Sequence, residues 1–383
     1  MIKIKEIYLD HAATTSVRKE VLNEMLPYYN KYYGNPSSNY LLGRENKNVI
    51  EYSRNKIAKA INANKNEIYF TSCGSESDNL AIKGFAYKNK EKGNHIITSK
   101  IEHPAVLNTC KNLEEKGFKV TYLDVDEKGF IEIEQLKNEI KNETILISIM
   151  MANNEIGTIQ DIKKIGEIAH KNNIVFHTDA VQAVGNIKID VNKMNIDMLS
   201  MSGHKFYAPK GIGALYIKEG IEIERIQDGG HQEKNKRAGT ENVAGIVGIG
   251  KAIELIDNEL EYYNSYLVNL RNYCIELLKK YIKDIKINGD LYNRLPGNIS
   301  VSFKNVNAQD IVKLLDKEQI YVSSGSACSS GCGMPSHVLK AIKLNSNYIN
   351  GTIRISLGKE NTRYDIEYLI YKLIRIINYL RNK

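Results

Sequence analysis

Short apolar runs, each ending in a polar or glycine-bearing cluster, recur along the first two-thirds of the chain. Ile68-Tyr69-Phe70 runs into Thr71-Ser72-Cys73-Gly74, Ile96-Ile97-Thr98 precedes Glu102-His103-Pro104, and Ile145-Leu146-Ile147-Ser148-Ile149 precedes Asn153-Asn154-Glu155. Ile174-Val175-Phe176 ends in His177-Thr178-Asp179, and Ile196, Met198 and Leu199 lead into Ser202-Gly203-His204-Lys205. Runs of this length closed by turn-forming residues predict buried strands. Between them the apolar positions take helical spacing, as in Leu80, Ile82, Phe85 and Ala86, and again in Ile162, Ile165, Ile168 and Ala169. Alternation of the two patterns from about residue 16 to 255 predicts an α/β architecture. Ser75-x-x-Asp78 has the spacing of a capping box and predicts a helix start.

Farther on, a long helical pattern covers about 244–282. Asn298-Ile299-Ser300-Val301-Ser302-Phe303 alternates as a strand, and a helix is predicted over about 308–317. The last helix carries Ile366, Leu369, Ile370, Leu373, Ile377 and Leu380 on one face and is capped by Thr362-x-x-Asp365.

The polar ends of the strands carry the chemistry. Lys205 sits between two apolar runs, the second being Ala214-Leu215-Tyr216-Ile217, so desolvation there favours a nucleophilic amine. Ser202, Gly203 and His204 beside it offer a hydroxyl, a close backbone approach and a ring nitrogen to an anion. Asp179 ends a strand, where it can hold a ring cation or cap a helix, and Gln182 follows three residues on. The helix start near Gly74 and Ser75 presents unpaired N–H groups to a phosphate. His103 can stack on an aromatic ring or move protons near neutral pH. Several polar strand ends imply one site at the carboxyl edge of a parallel sheet. The glycine- and serine-rich run 322–336 predicts a loop in which Cys328 is an exposed thiol, idle or nucleophilic.

Eight segments then occur in order: Tyr8-Leu9-Asp10-His11-Ala12-Ala13-Thr14-Thr15, Gly34-Asn35-Pro36-Ser37-Ser38, Glu76-Ser77-Asp78-Asn79, Asn153-Asn154-Glu155-Ile156-Gly157, His177-x-Asp179-Ala180-x-Gln182, Ser202-Gly203-His204-Lys205, Arg237-x-Gly239-Thr240 and Ser323-Ser324-Gly325-Ser326-Ala327-Cys328. Together they resemble the cysteine desulfurases of the NifS/IscS type, in the class V aminotransferase group of fold-type I pyridoxal-phosphate enzymes. The resemblance spans nearly the whole chain. It implies a large α/β domain with a mainly parallel seven-stranded sheet over 16–255, and a small α+β domain from 1–15 and 256–383 that carries the cysteine loop. It implies pyridoxal 5'-phosphate bonded to Lys205, with Asp179 on its ring nitrogen, Gln182 on its phenolic oxygen and His103 stacked on the ring. Asn154 would face cofactor or substrate. Gly74, Ser75, Ser202 and His204 would hold the phosphate, with Thr240 reaching in from the second subunit of a homodimer. Arg354, with Asn35 beside it, would take the carboxylate of L-cysteine, for which a planar guanidinium fork is suited. Cys328 would receive the sulfur as a persulfide, leaving L-alanine, and pass it to an acceptor protein of iron–sulfur cluster assembly or of tRNA or cofactor thiolation.

The alternatives on the same residues are a selenocysteine lyase or another β-lyase, and, from a different class, a non-catalytic sulfur-relay protein. Tyr40, Cys73 and Cys332 depart from the family pattern. Cys332 could resolve a persulfide on Cys328 or have no role. A metal reading of Cys328-x3-Cys332 lacks a second ligand pair, so no metal is expected. The chain ends soon after its last predicted helix, where scaffold-binding members carry a longer tail, which leaves the acceptor open.

At 383 residues and 42% hydrophobic, the chain can bury two cores. A net charge of +8 without a basic block argues against direct nucleic-acid binding. No apolar run reaches membrane-spanning length, and Met1-Ile2-Lys3-Ile4-Lys5-Glu6 lacks a signal-peptide stretch. Five scattered cysteines are no disulfide framework, so a reduced cytoplasmic protein is expected.

Overall fold

A computed structural model describes residues 6–324 and 335–382. Cys328 and Cys332 lie outside the described residues. The apolar runs form a seven-stranded sheet in the order Ile68–Thr71, Gly213–Ile217, Met198–Ser202, Val175–Asp179, Thr144–Ser148, His95–Ser99 and Lys119–Leu123. All neighbours are parallel except around Gly213–Ile217, which runs antiparallel to both of its partners. The expected mainly parallel sheet is therefore present.

Because side chains alternate across a strand, each strand feeds two cores. Ile97, Ile147, Phe176 and Leu199 point into one, with Ile50 and Ile57 of the helix Leu41–Ala60 and Ile162 and Ile165 of Ile162–Lys171. Ile96, Leu146, Met198 and Leu215 point into the other, with Leu80 and Phe85 of Gly74–Lys88 and Val106 and Leu113 of Pro104–Glu114. Each side chain fully buried in this way contributes roughly 1.5–3 kcal/mol.

A third core lies over an antiparallel sheet ordered Ser323–Ser324, Thr352–Ser356, Asn298–Phe303 and Ile285–Ile287. It takes in the helices Ala308–Asp316 and Arg363–Arg381. Thr362 and Asp365 form the expected capping box on the second of these. Ile7 and Leu9 join this core, where the strand Ile7–Tyr8 pairs parallel with Ile320–Tyr321. The helix Val243–Tyr281 bridges the cores. Its residues up to Leu260 pack with the large sheet, and those from Leu267 pack with the small one. Among the described residues, no helix is long and apolar enough to cross a membrane.

Candidate active site

Five strands of the large sheet deliver the turns after them to one cavity of about 350 Å3. Asp179 and Ser202 are the last residues of their strands; Cys73, His103 and Asn154 lie in the turns just after theirs. Gly213 makes the edge possible. A Cβ there would lie 2.8 Å from the Cys73 carbonyl carbon and from the Met201 carbonyl oxygen, so only glycine fits between the two neighbouring strands.

Lys205 closes a short turn after Met198–Ser202. Its Nζ donates to the carbonyl oxygens of Ala12 and Ala13, each at 2.7 Å. Gln182 Nε2 donates to the same Ala12 oxygen at 3.0 Å. The N-terminal segment thus forms one wall and holds the amine at the cavity. Opposite, the helix Gly74–Lys88 begins at the cavity with Gly74 and Ser75 lining it. Ser202 Oγ is buried without a hydrogen-bond partner, a hydroxyl that a bound anion would satisfy. His204 shares Nδ1 with Thr14 Oγ1 at 3.2 Å. Burial, then the Lys205 and Lys210 charges, push its pKa down to about 4, so it meets a ligand as a neutral ring.

The capping-box reading of Ser75 and Asp78 is corrected. The helix begins two residues earlier, at Gly74 after extended Cys73, and no side chain caps it. Glu76 instead accepts from the Ser72 N–H at 2.6 Å, and Asp78, one turn in, is buried facing the cavity. Ligand atoms of Asp78, Asp179 and His103 all lie within 4.8 Å of one another. Burial raises both carboxyls, and Asp78, next to the Asp179 charge, is raised far; the Lys205 charge pulls Asp179 back. The charge therefore resides on Asp179, whose Oδ1 also accepts the Val181 N–H at 2.9 Å. Beneath them His177 is fully buried and spans Ser148 Oγ at 2.8 Å and Ser200 Oγ at 3.0 Å.

His103 caps the helix Pro104–Glu114: its Nδ1 accepts the Ala105 N–H at 3.1 Å. Burial lowers its pKa, so the ring is neutral and Nε2 is the nitrogen left to exchange a proton with a ligand. Glu102, wholly buried, accepts from Met150 N, and burial pushes it up to about 8. Arg354 reaches the cavity from the small sheet, donating to Asp10 Oδ1 at 2.8 Å and to the Asn154 carbonyl at 3.0 Å. Its Nε is buried and has no hydrogen-bond partner.

The cavity thus gathers Gly74, Ser75, His103, Asn154, Asp179, Gln182, Ser202, His204, Lys205 and Arg354. Two expected residues stand apart. Asn35 does not line this chain's cavity: it is exposed, and its Oδ1 accepts the Ser37 N–H at 2.9 Å. Thr240 is exposed and does not line its own chain's cavity. Asp10, Asp78 and Glu155 gain surroundings that the motif spelling did not reveal. Among the described cysteines, Cys110 and Cys274 are core residues whose thiols burial pushes up to about 12, whereas Cys73 lines the cavity.

Comparison with known proteins accounts for this constellation. The model of the family described as Aminotransferase class-V matches residues 7–369. A Clostridium botulinum (strain Hall) protein named cysteine desulfurase IscS is 53% identical over 379 residues, which cover 98% of this chain and 96% of its own. A protein of the same name from Methanosarcina thermophila is 53% identical over 378 residues, covering 99% and 93%. Among solved structures, a NifS-like protein superposes with a TM-score of 0.93 at 39% identity, covering 98% of this chain and 100% of that one. A structure described as SspA in complex with cysteine gives 0.83 at 39% identity, covering 94% and 100%.

Proposed function

This chain belongs to the aminotransferase class-V family, and we propose that it is a pyridoxal-phosphate-dependent cysteine desulfurase, converting L-cysteine to L-alanine and leaving the sulfur on Cys328. The observation that carries the reading is that Lys205, Asp179 and Arg354 face one cavity at the carboxyl edge of the large sheet. The residues present fit the cofactor. Lys205 would hold its aldehyde carbon, Asp179 its ring nitrogen and Gln182 its phenolic oxygen. His103 would lie against the ring. The helix start at Gly74 and Ser75, the unpartnered Ser202 hydroxyl and neutral His204 would hold the phosphate. When bound, pyridoxal phosphate supplies an electron sink for the carbon next to the substrate amine.

Each remaining task falls to a named side chain. Arg354 receives the substrate carboxylate through the Nε donor that has no partner, and Asn154 lies beside it. The Lys205 amine takes the substrate Cα proton. His103 Nε2 exchanges the proton of the reacting thiol. The Cys328 thiolate attacks the substrate sulfur: a sulfur–sulfur bond forms, the Cβ–sulfur bond breaks, Cβ gains a proton and alanine leaves. An acceptor protein thiol then takes the outer sulfur, in iron–sulfur cluster assembly or in tRNA or cofactor thiolation. We place this work in the cytoplasm, where thiols stay reduced. The large domain would span 16–255 and the small one 1–15 and 256–383. The reading is tested by incubating the purified protein with L-cysteine, L-selenocysteine and cystine separately. Alanine formed from cysteine supports it, whereas turnover of selenocysteine or cystine alone favours the lyase alternatives.

We further propose a homodimer in which Thr240 of one copy donates to the phosphate in the other. A hydrogen bond to a charged group contributes roughly 1.5–3 kcal/mol. Thr240→Val is therefore expected to weaken cofactor retention about tenfold to a hundredfold, measured by dialysis and absorbance. A wild-type protein that is fully loaded and active as a monomer by sedimentation would refute the shared site.

A further inference from the structure

Two partly buried carboxylates flank Arg354, and each holds a serine at one root of the segment that carries Cys328. On one side, Asp10 Oδ1 accepts from Arg354 Nη2 at 2.8 Å while its Oδ2 accepts the Ser323 hydroxyl at 2.9 Å. Ser323 is the ladder partner of Arg354 in the small sheet and precedes Cys328 by five positions. On the other side, Arg354 Nη1 donates to the Asn154 carbonyl at 3.0 Å, and the next residue, Glu155, accepts the Ser336 hydroxyl at 2.6 Å. Ser336 follows Cys328 by eight positions and is 3% exposed.

The Ser336 contact is built rather than incidental. Its hydroxyl oxygen also accepts the Val338 and Leu339 N–H groups at 3.1 and 3.4 Å, capping the helix His337–Ala341. Its proton is thereby left for Glu155. The turn bearing Glu155 is fixed in its own right, because Asn153 Oδ1 accepts the N–H groups of Glu155 and Ile156 at 2.9 and 3.0 Å. Next to Ser336, His337 Nε2 pairs with the Glu102 carbonyl oxygen at 2.9 Å, directly before His103. Burial pushes the Glu155 carboxyl up to about 7, against the Ser336 hydroxyl and the Arg354 charge, so desolvation here is substantial.

We propose that Asp10 and Glu155 are positioning residues for sulfur transfer: through Arg354 they tie the substrate-carboxylate site to both roots of the segment bearing Cys328. The inference rests on the function proposed above. Its physical basis is that a nucleophile's reach is set by where its support is fixed, and a misplacement of about 1 Å can cost on the order of a hundredfold in rate. Glu155 touches neither substrate nor cofactor on this account, so its loss should alter transfer without altering binding. Asp10 holds both Arg354 and Ser323, so its loss should alter both.

The test uses cofactor-loaded wild type, Glu155→Ala, Glu155→Gln and Asp10→Ala. Rapid quench and mass spectrometry read sulfur arriving on Cys328 at saturating L-cysteine. The cofactor absorbance change reads cysteine binding, and amide hydrogen exchange reads Val338 and Leu339. Glu155→Ala is expected to slow transfer about tenfold to a hundredfold, with cofactor content and the half-saturating cysteine concentration unchanged and exchange at Val338 and Leu339 faster. Glu155→Gln should restore transfer and exchange, since its amide oxygen still accepts the Ser336 hydroxyl. Asp10→Ala should slow transfer and raise the half-saturating concentration. Wild-type transfer in Glu155→Ala, equal loss in Glu155→Gln, or parallel loss of cofactor and transfer would each overturn the proposal while leaving the desulfurase reading intact. A wild type that puts no sulfur on Cys328 would remove both.

Discussion

Lys205→Ala is expected to lose the visible absorption band of lysine-bound pyridoxal and to fall at least about 10⁴-fold in alanine formation, the upper range for one acid–base group. Two roles vanish at once, because the same amine holds the cofactor and takes the substrate proton. The effect should be local. Lys205 ends a short turn whose backbone is fixed by Phe206 and Ala208 N–H groups donating to the Gly203 carbonyl at 3.0 and 3.1 Å. The side chain donates to two carbonyls of the N-terminal wall. Alanine can occupy that backbone, so melting temperature should change little. A variant that keeps a band reducible by borohydride onto the protein would show that another amine holds the cofactor.

Cys328→Ser should separate cofactor chemistry from sulfur transfer. Cofactor content and the absorbance change on adding cysteine should persist, since every residue assigned to cofactor and carboxylate lies elsewhere in the chain. Alanine formation should fall at least about 10³-fold, the scale of losing a covalent nucleophile. The buried thiols cannot substitute, because burial pushes Cys110 and Cys274 up to about 12 and keeps them protonated. Near wild-type alanine formation without a reductant would exclude Cys328 and move attention to Cys332 or to Cys73, which lines the cavity.

Much of the fold was legible because parallel strands buried on both faces leave continuous apolar runs, and the residues ending those runs are the ones at the sheet's carboxyl edge. Lys205, Asp179 and His103 could be found this way. Patterns over a few residues misled where two local structures share one spelling. Ser75-x-x-Asp78 reads as a cap, yet the helix starts at Gly74, and Asp78 turns inward to meet Asp179. Contacts between distant segments leave no periodic trace. Asp10 and Arg354 lie 344 positions apart, and Glu155 and Ser336 lie 181 apart, so their pairings appear only once the N-terminal strand and the small sheet are in place.

The most direct test of the desulfurase account is the fate of a single equivalent of L-cysteine given to the cofactor-loaded protein without reductant. Intact-mass and peptide mass spectrometry should find one added sulfur atom per active site, located on Cys328, with one L-alanine released for each. Pyruvate, ammonia and free sulfide in place of alanine, with no sulfur retained on the protein, would contradict the account and identify a β-lyase instead.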